Sequence, residues 1–471
     1  MTQPKLRMAP SPTGQLHVGT ARTALYNYLY ARHIGGEFLM RIEDTDVARS
    51  KREHADAFCE MLKWMGINWD GEIVYQSDRF EKYKAAIDKL LEEGSAYECF
   101  ETPEELDEIN AERKAKKLPP GYDGRARHLS KEQKEELRSE GRPRTVRFAT
   151  PESGESEFED AIRGNVKVQW SNVSDFVIER GDGTPTFFLA NAVDDIDMGI
   201  THVVRGEDLL DSTHRILALR RAMGSNEQPF YAHTPMILAT DRSKLSKRHG
   251  AVSLESYKDA GYLPEAMINY LVLLGWAPND DREIVTMEEM ISEFDIVNVN
   301  KSGAIFDVKK LEWMNGEYIR AIELDELISR LKAVADVRYE NGYDSELFKR
   351  AVELAQPRAT TFNAMLDQMD SLFAKDFSIE QEQIELLKHT DQIQEILKAV
   401  EKHLHECDWN LEGIDLREVV NAIGLKPRKA LPAVYLIIEG STSGLPLFDF
   451  IEMLGRDESL SRIRNAKALL A

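Results

Sequence analysis

The chain has 471 residues, 42% of them hydrophobic, and its 60 Lys and Arg against 82 Asp and Glu give a formal charge of −22. At roughly 100 to 200 residues per domain, this length predicts about three or four domains with a core each and excludes disorder across most of the chain. The start, Met1-Thr2-Gln3-Pro4-Lys5, lacks the basic and then apolar pattern of a secretion signal. Apolar runs such as Tyr270 to Leu274 fall far short of the roughly 20 residues that cross a bilayer, so a soluble protein with no membrane association is expected. Cys59, Cys99 and Cys407 lie far apart and form no C-x-x-C pair. That argues against a disulfide framework or a cysteine-rich metal site and predicts a reducing, cytoplasmic setting. Negative net charge does not exclude a nucleic-acid partner, because a phosphate backbone responds to local basic surface. Basic residues outnumber acidic ones between Lys5 and Glu53, and Arg242 to Arg248 holds four positive side chains in seven positions. Either cluster alone is also the pattern of a solvated face.

In chain order, Lys5 to Met8 predicts a short strand, broken by the prolines and glycine of Ala9-Pro10-Ser11-Pro12-Thr13-Gly14. Ala21, Ala24, Leu25, Tyr28 and Leu29 recur at helical spacing, with Thr20 as a possible cap and Gly35-Gly36 as the stop. Phe38 to Ile42 predicts a second strand. Strand, turn, helix and strand within about forty residues form a βαβ unit, the start of a doubly wound sheet whose ligand crevice lies at the strands' carboxyl ends. Glu101 to Lys117 and Ser130 to Arg142 are charged, helix-prone and separated by Leu118-Pro119-Pro120-Gly121, the texture of an insertion. Strands are expected again at Thr145 to Phe148, Phe176 to Glu179, Thr186 to Leu189 and His202 to Arg205, returning the chain to the sheet. A helix from Thr213 to Met223 and a strand at Met236 to Leu238 follow. Beyond about Leu324 amphipathic helical patterns take over, including Leu324 to Val334, Ser345 to Ala355 and Ile384 to Leu404.

Two motifs carry chemistry. His17-Val18-Gly19-Thr20 opens the first helix, where backbone N–H groups and the helix dipole favour an anion such as phosphate. Imidazole can donate to a phosphate or ribose oxygen, and the bare Cα of Gly19 lets a flat base come close. An ordinary βα turn is the alternative reading. Lys244-Leu245-Ser246-Lys247-Arg248 lies in a polar loop after a later strand. Two ammonium groups there suit a triphosphate losing pyrophosphate, since positive charge stabilises the leaving oxygens without proton transfer.

Together, more than two hundred residues apart, the motifs resemble the catalytic core of class I aminoacyl-tRNA synthetases, in the places of the "HIGH" and "KMSKS" signatures. Arg7 to Gly14, Arg41 to Asp46, Tyr122 to Arg125, Asp182 to Thr186 and Val204 to Asp208 narrow the resemblance to the bacterial type of glutamyl-tRNA synthetase. The likeness covers essentially the whole chain. It implies an α/β fold: a Rossmann-type doubly wound catalytic domain (1–99 and 191–252), an inserted α+β domain holding the tRNA acceptor end (100–190), a connecting stem-contact domain (253–324) and an all-α anticodon-binding region (325–471). It also implies that ATP-Mg²⁺ and L-glutamate form glutamyl-adenylate, whose acyl group passes to the terminal ribose of tRNA(Glu). No nucleophilic side chain takes part, and a monomer is the expected state.

By the same resemblance His17, Gly19, Lys244 and Lys247 are catalytic, and Asp208 and Ile237 join them around ATP. Arg7 and Arg205 read the γ-carboxylate of glutamate, a task suited to a permanently charged fork. Ser11, Glu43 and Asn191 surround the amino acid. Phe187 stands where many relatives have tyrosine, so an aromatic wall is expected there without the phenol's hydrogen bond. Some relatives bind zinc through clustered cysteines in the insertion. Here Cys99 is followed by Phe100-Glu101 and the later stretch reads Arg125-Ala126-Arg127-His128, so no structural zinc is expected. Arg358 and Phe362, after Gln356-Pro357, could stack on anticodon bases, although aromatic residues at helical spacing usually belong to a core. Three other readings stay open: an enzyme that also glutamylates tRNA(Gln), a catalytically silent RNA-binding paralogue, and a small-molecule nucleotidyltransferase.

Overall fold

The computed structural model describes residues 3–46, 49–118, 121–246, 248, 252–340, 342–374, 377–442 and 444–470. Two compact units emerge, residues 1–258 with 264–308, and residues 259–263 with 309–471.

In the first unit β1 (Lys5–Met8) runs parallel to β2 (Glu37–Ile42), with Lys5 opposite Glu37 and Met8 opposite Met40. The connection is α1 (Val18–His33), which buries Val18, Ala21, Leu25 and Leu29. After α2 (Arg52–Trp64), β3 (Val74–Tyr75) joins the far side of β2, also parallel, and α3 (Phe80–Glu92) follows. The chain then leaves this sheet through β4 (Ala96–Cys99), α4 (Pro103–Ala115), α5 (Lys131–Ser139) and β5 (Thr145–Phe148). Both α4 and α5 start with a capping box, Thr102 with Glu105 and Ser130 with Gln133.

A hairpin of β6 (Glu155–Asp160) and β7 (Gly164–Gln169) precedes β8 (Phe176–Glu179), α6 (Phe187–Asp197), β9 (His202–Gly206), α7 (Ser212–Ala222) and β10 (Phe230–Thr234). Strands β9 and β10 are parallel, and Thr201 ties β9 to β1 by donating its N–H to the Lys5 carbonyl at 3.1 Å. From β1 the chain winds outward to β2 and β3, and from β9 outward to β10. The strand order therefore reverses between β1 and β9, and the crevice at that switch point opens at the carboxyl ends. Helix α1 packs on β1, β2 and β9, while Leu217 of α7 packs with Val203 and Tyr231. A short pairing of β11 (Ile237–Leu238) with β12 (Ala304–Ile305) completes the unit.

Three expectations change. Thr145 to Phe148 and Phe176 to Glu179 are strands, but β4, β5 and β8 form their own antiparallel sheet, while β9 lies beside β1 and pairs in parallel with β10, whose other edge takes β6, also in parallel. Thr186 to Leu189 is not a strand: Phe187 opens α6. The aromatic, β-branched run suggested extension, yet Leu189, Ala190 and Val193 enter one core at helical spacing. Helix α1 begins at Val18, capped by His17 and not by Thr20.

The second unit is helical among its described residues. Leu324–Arg338 and Ser345–Ala355 match the amphipathic patterns. The run from Ile384 to Leu404 is split into Gln381–Lys388 and Ile393–Glu406, because Gln392 turns the chain with φ +55°. Ile396, Leu397, Val400 and Leu404 form the buried stripe of the latter helix.

Candidate active site

A cavity of about 590 Å³ occupies the switch-point crevice. Arg7 lines it from β1, Ser11 from the loop beyond, Glu43 from just past β2, Arg205 from β9 and Asp208 from the turn that follows. His17 and Gly19 come from the start of α1, Phe187 and Asn191 from α6, Ile237 from β11 and Lys244 from the polar loop. Sequence positions up to 237 residues apart (Arg7 and Lys244) thus face one space. Lys247 lies outside the described residues.

His17 caps α1 through Nδ1, which accepts from the Gly19 N–H at 3.1 Å, so its proton sits on Nε2. Burial, and then the charge of Lys244, lower the imidazole pKa, leaving a neutral donor. A Cβ at Gly19 would come within 3.4 Å of that ring. The two motifs meet because the later chain is zipped onto the earlier one. Val18 donates to Val252 at 3.0 Å, Leu254 donates to Leu16 at 2.8 Å, and His17 pairs antiparallel with Ser253. Lys244 in turn pairs antiparallel with Leu238, which anchors the loop's first half to β11.

The amino-acid end of the cavity rests on a buried charge web. Asp195 accepts from Arg7 Nε at 3.1 Å and from Arg41 Nη1 at 2.6 Å. Burial pushes the Asp195 carboxyl up, but Arg7 and Arg41 outweigh it and hold it well below the usual carboxylate range. Glu43 Oε1 receives Arg41 Nη2 and Asn191 Nδ2, each at 3.1 Å, while Asn191 Oδ1 is buried without a hydrogen-bond partner among the described residues. Asp194 accepts from Gln76 at 2.8 Å and from Tyr83 at 2.9 Å, fixing α6 from behind.

Arg205 differs from Arg7 in having no carboxylate partner among the described residues. Its Nε donates to His233 Nε2 at 3.1 Å and its Nη2 to Thr213 Oγ1 at 2.8 Å. Burial first, and the charge of Arg7 second, lower its pKa to about 10. An arginine only donates, so His233 Nε2 accepts and its Nδ1–H donates to Asp160 Oδ2 at 2.6 Å. Burial lowers the His233 pKa against the pull of Asp160, which keeps the ring neutral in that tautomer.

Sequence reasoning missed Asp195, His233 and Asp160, because none of them belongs to a motif, and it gave Arg41, which heads the Arg41 to Asp46 motif, no role of its own. The one available signal was Asp194-Asp195 set among Ala192, Val193 and Ile196, where charge within an apolar helix calls for buried partners. Arg22 was missed as well. It lines the cavity from α1 and donates to the carbonyls of Leu274, at 2.9 Å, and Pro235. Cys99 is buried, donates to Glu101 Oε2 at 2.8 Å and receives Arg147 Nε at 3.2 Å. Among the described residues no group of three or more His, Cys, Asp or Glu side chains is placed to hold a metal, and no helix is long and apolar enough to cross a membrane.

Comparison with known proteins agrees with this geometry. Residues 4–313 match the family described as tRNA synthetases class I (E and Q), catalytic domain, and residues 322–467 match an anticodon binding domain. The glutamate-tRNA ligase of Aquifex aeolicus is 41% identical, with 98% of each chain covered. Glutamate-tRNA ligase 2 of Thermoanaerobacter pseudethanolicus is also 41% identical, over 99% of this chain and 98% of its own. The crystal structure of a glutamate tRNA ligase from Elizabethkingia meningosepticum in complex with its amino acid superposes with a TM-score of 0.83 at 33% identity, covering all of both chains. With both motifs in one crevice and relatives aligned from end to end, the chain belongs to the class I tRNA synthetases of the E and Q family, within the glutamate-tRNA ligases.

Proposed function

We propose that this chain joins L-glutamate to tRNA(Glu) in two steps at the switch-point cavity, with Mg²⁺-ATP as substrate. In the first step an α-carboxylate oxygen of glutamate attacks the α-phosphorus of ATP, the bond to the β-phosphate oxygen breaks, and pyrophosphate leaves. In the second step a hydroxyl of the terminal ribose attacks the acyl carbon and AMP departs. The side chains hold charge and geometry, and none becomes covalently modified.

The observation that carries this reading is Arg205, a buried guanidinium without a carboxylate partner among the described residues, facing the same space as His17 and Lys244. Its free valence suits the γ-carboxylate of glutamate, and a neutral glutamine amide would leave that charge unpaired. Arg7, oriented by Asp195, is the second contact. Glu43 and the unpartnered Asn191 Oδ1 fit the α-ammonium group, with Ser11 and Phe187 beside the amino acid. His17 Nε2–H would donate to a phosphate or ribose oxygen, Gly19 and the Ile237 backbone would admit the base, and Asp208 would lie at the nucleotide. Lys244, joined by Lys247, would neutralise charge as pyrophosphate departs.

Residues 100–190 would hold the acceptor end, 253–324 the stem, and 325–471 the anticodon, a reading supported for the last by the anticodon-domain match. A monomer working in the cytoplasm on a tRNA substrate belongs to the same reading. Charging of purified tRNA(Glu) and tRNA(Gln) tests the reading. Glutamylation of tRNA(Glu) alone is expected, equal rates on both tRNAs would reject discrimination, and no charging of either would reject the assignment.

A further inference from the structure

At the amino ends of β1 and β9, on the side away from the catalytic crevice, lies a second cavity of about 470 Å³. Arg220, in the last turn of α7, lines it and is only 5% exposed. Its Nη2 donates to Ser225 Oγ at 3.3 Å, but Nε and Nη1 are buried with no hydrogen-bond partner, and no carboxylate pairs with it among the described residues. A guanidinium only donates hydrogen bonds, so its unpaired N–H groups call for an anion.

The other side chains at the cavity favour the same kind of guest. Lys5 lines it and spends part of its charge on Glu37, 3.5 Å away, while the Ser225 hydroxyl, which accepts from Arg220, keeps its own proton to donate. Asp195 also borders it, but that carboxylate is neutralised by Arg7 and Arg41. The remaining acid, Glu227, is exposed at the rim.

We propose that this rear cavity is a binding site for a small oxyanion, of the phosphate or carboxylate class, held by Arg220 with Lys5 and Ser225. Two parallel N–H donors of a guanidinium match two oxygens of either anion. The site is separate from the catalytic cavity and does not depend on the reaction assigned to it.

Titration calorimetry of the full chain with inorganic phosphate, and separately with malonate, reads the site, and crystals soaked in selenate locate it by anomalous scattering. A selenate peak at the Arg220 guanidinium is expected. Arg220→Met should weaken the preferred anion by about tenfold or more, the usual loss of a charged hydrogen bond. Lys5→Gln should weaken it and Glu227→Gln strengthen it, each about threefold, as partly screened rim charges do. Glu227 is exposed and Lys5 only half-buried, so these two changes keep the test intact should Arg220→Met fail to fold. Tighter phosphate binding assigns a phosphate ligand, and tighter malonate a carboxylate. Selenate confined to the catalytic crevice, or affinities unmoved by a folded Arg220→Met or by both rim changes, would overturn the proposal.

Discussion

Glu439 is the last residue of the helix Pro427–Glu439, where the dipole already disfavours negative charge, and the chain leaves it through Gly440 in the left-handed region. The side chain is buried, and among the described residues neither carboxylate oxygen receives a well-formed hydrogen bond, the Leu445 N–H giving only a weak one. Burial pushes its pKa from 4.5 up to about 8, since Leu445 N–H, Arg358 and Arg462 offset only part of the desolvation. The folded chain therefore holds a proton at Glu439 at neutral pH that the unfolded chain releases. Stability from this group is full below pH 4.5 and is lost as pH rises towards about 8. At about 1.4 kcal/mol per pH unit, the loss at pH 7 is about 3 kcal/mol. Glu439→Gln removes the titration and keeps the shape. Urea unfolding of parent and variant between pH 5 and 8, following the helical unit, should give a stability difference that grows with pH in favour of Gln, by about 3 kcal/mol at pH 7. A difference that stays constant across this range would refute a protonated Glu439.

Lys244→Ala should slow adenylate formation by about 10²-fold or more with little change in glutamate binding, because its charge acts as pyrophosphate leaves. Lys247→Ala should behave alike, and equal pre-steady-state rates for parent and variants would remove both lysines from that step. His233→Leu deprives Arg205 Nε of its acceptor and should raise the KM for glutamate by about tenfold or more while the KM for ATP holds, with His233→Gln restoring part of the loss. Equal changes in both constants would point to general damage. Asp195→Asn should destabilise the first unit at neutral pH and weaken glutamate binding through Arg7. Because its folded pKa is depressed, the stability gap should be full above the ordinary value of 3.8 and close as pH falls through the lower folded value, which acid unfolding curves read directly.

Local chemistry in the sequence determined the βαβ start, both motifs and the helical third. Pro10, Pro12 and Gly35-Gly36 punctuate β1 and α1 through their own backbone limits, and Ile396, Leu397, Val400 and Leu404 repeat with the helical period whatever they pack against. Where short-range signals conflict, tertiary packing decided. Phe187 to Leu189 has strand-like composition yet joins a helix because Leu189, Ala190 and Val193 share one core, and Gln392 breaks a run whose apolar spacing alone continues. The family motifs named the side chains lining the crevice. What orients them came from the fold: Asp195 gripping Arg7 across 188 residues, and His233 holding Arg205 in one tautomer through Asp160. Those partners are distant in sequence and carry no spacing, so only the folded sheet, which sets strand ends side by side, brings their charges within hydrogen-bond reach.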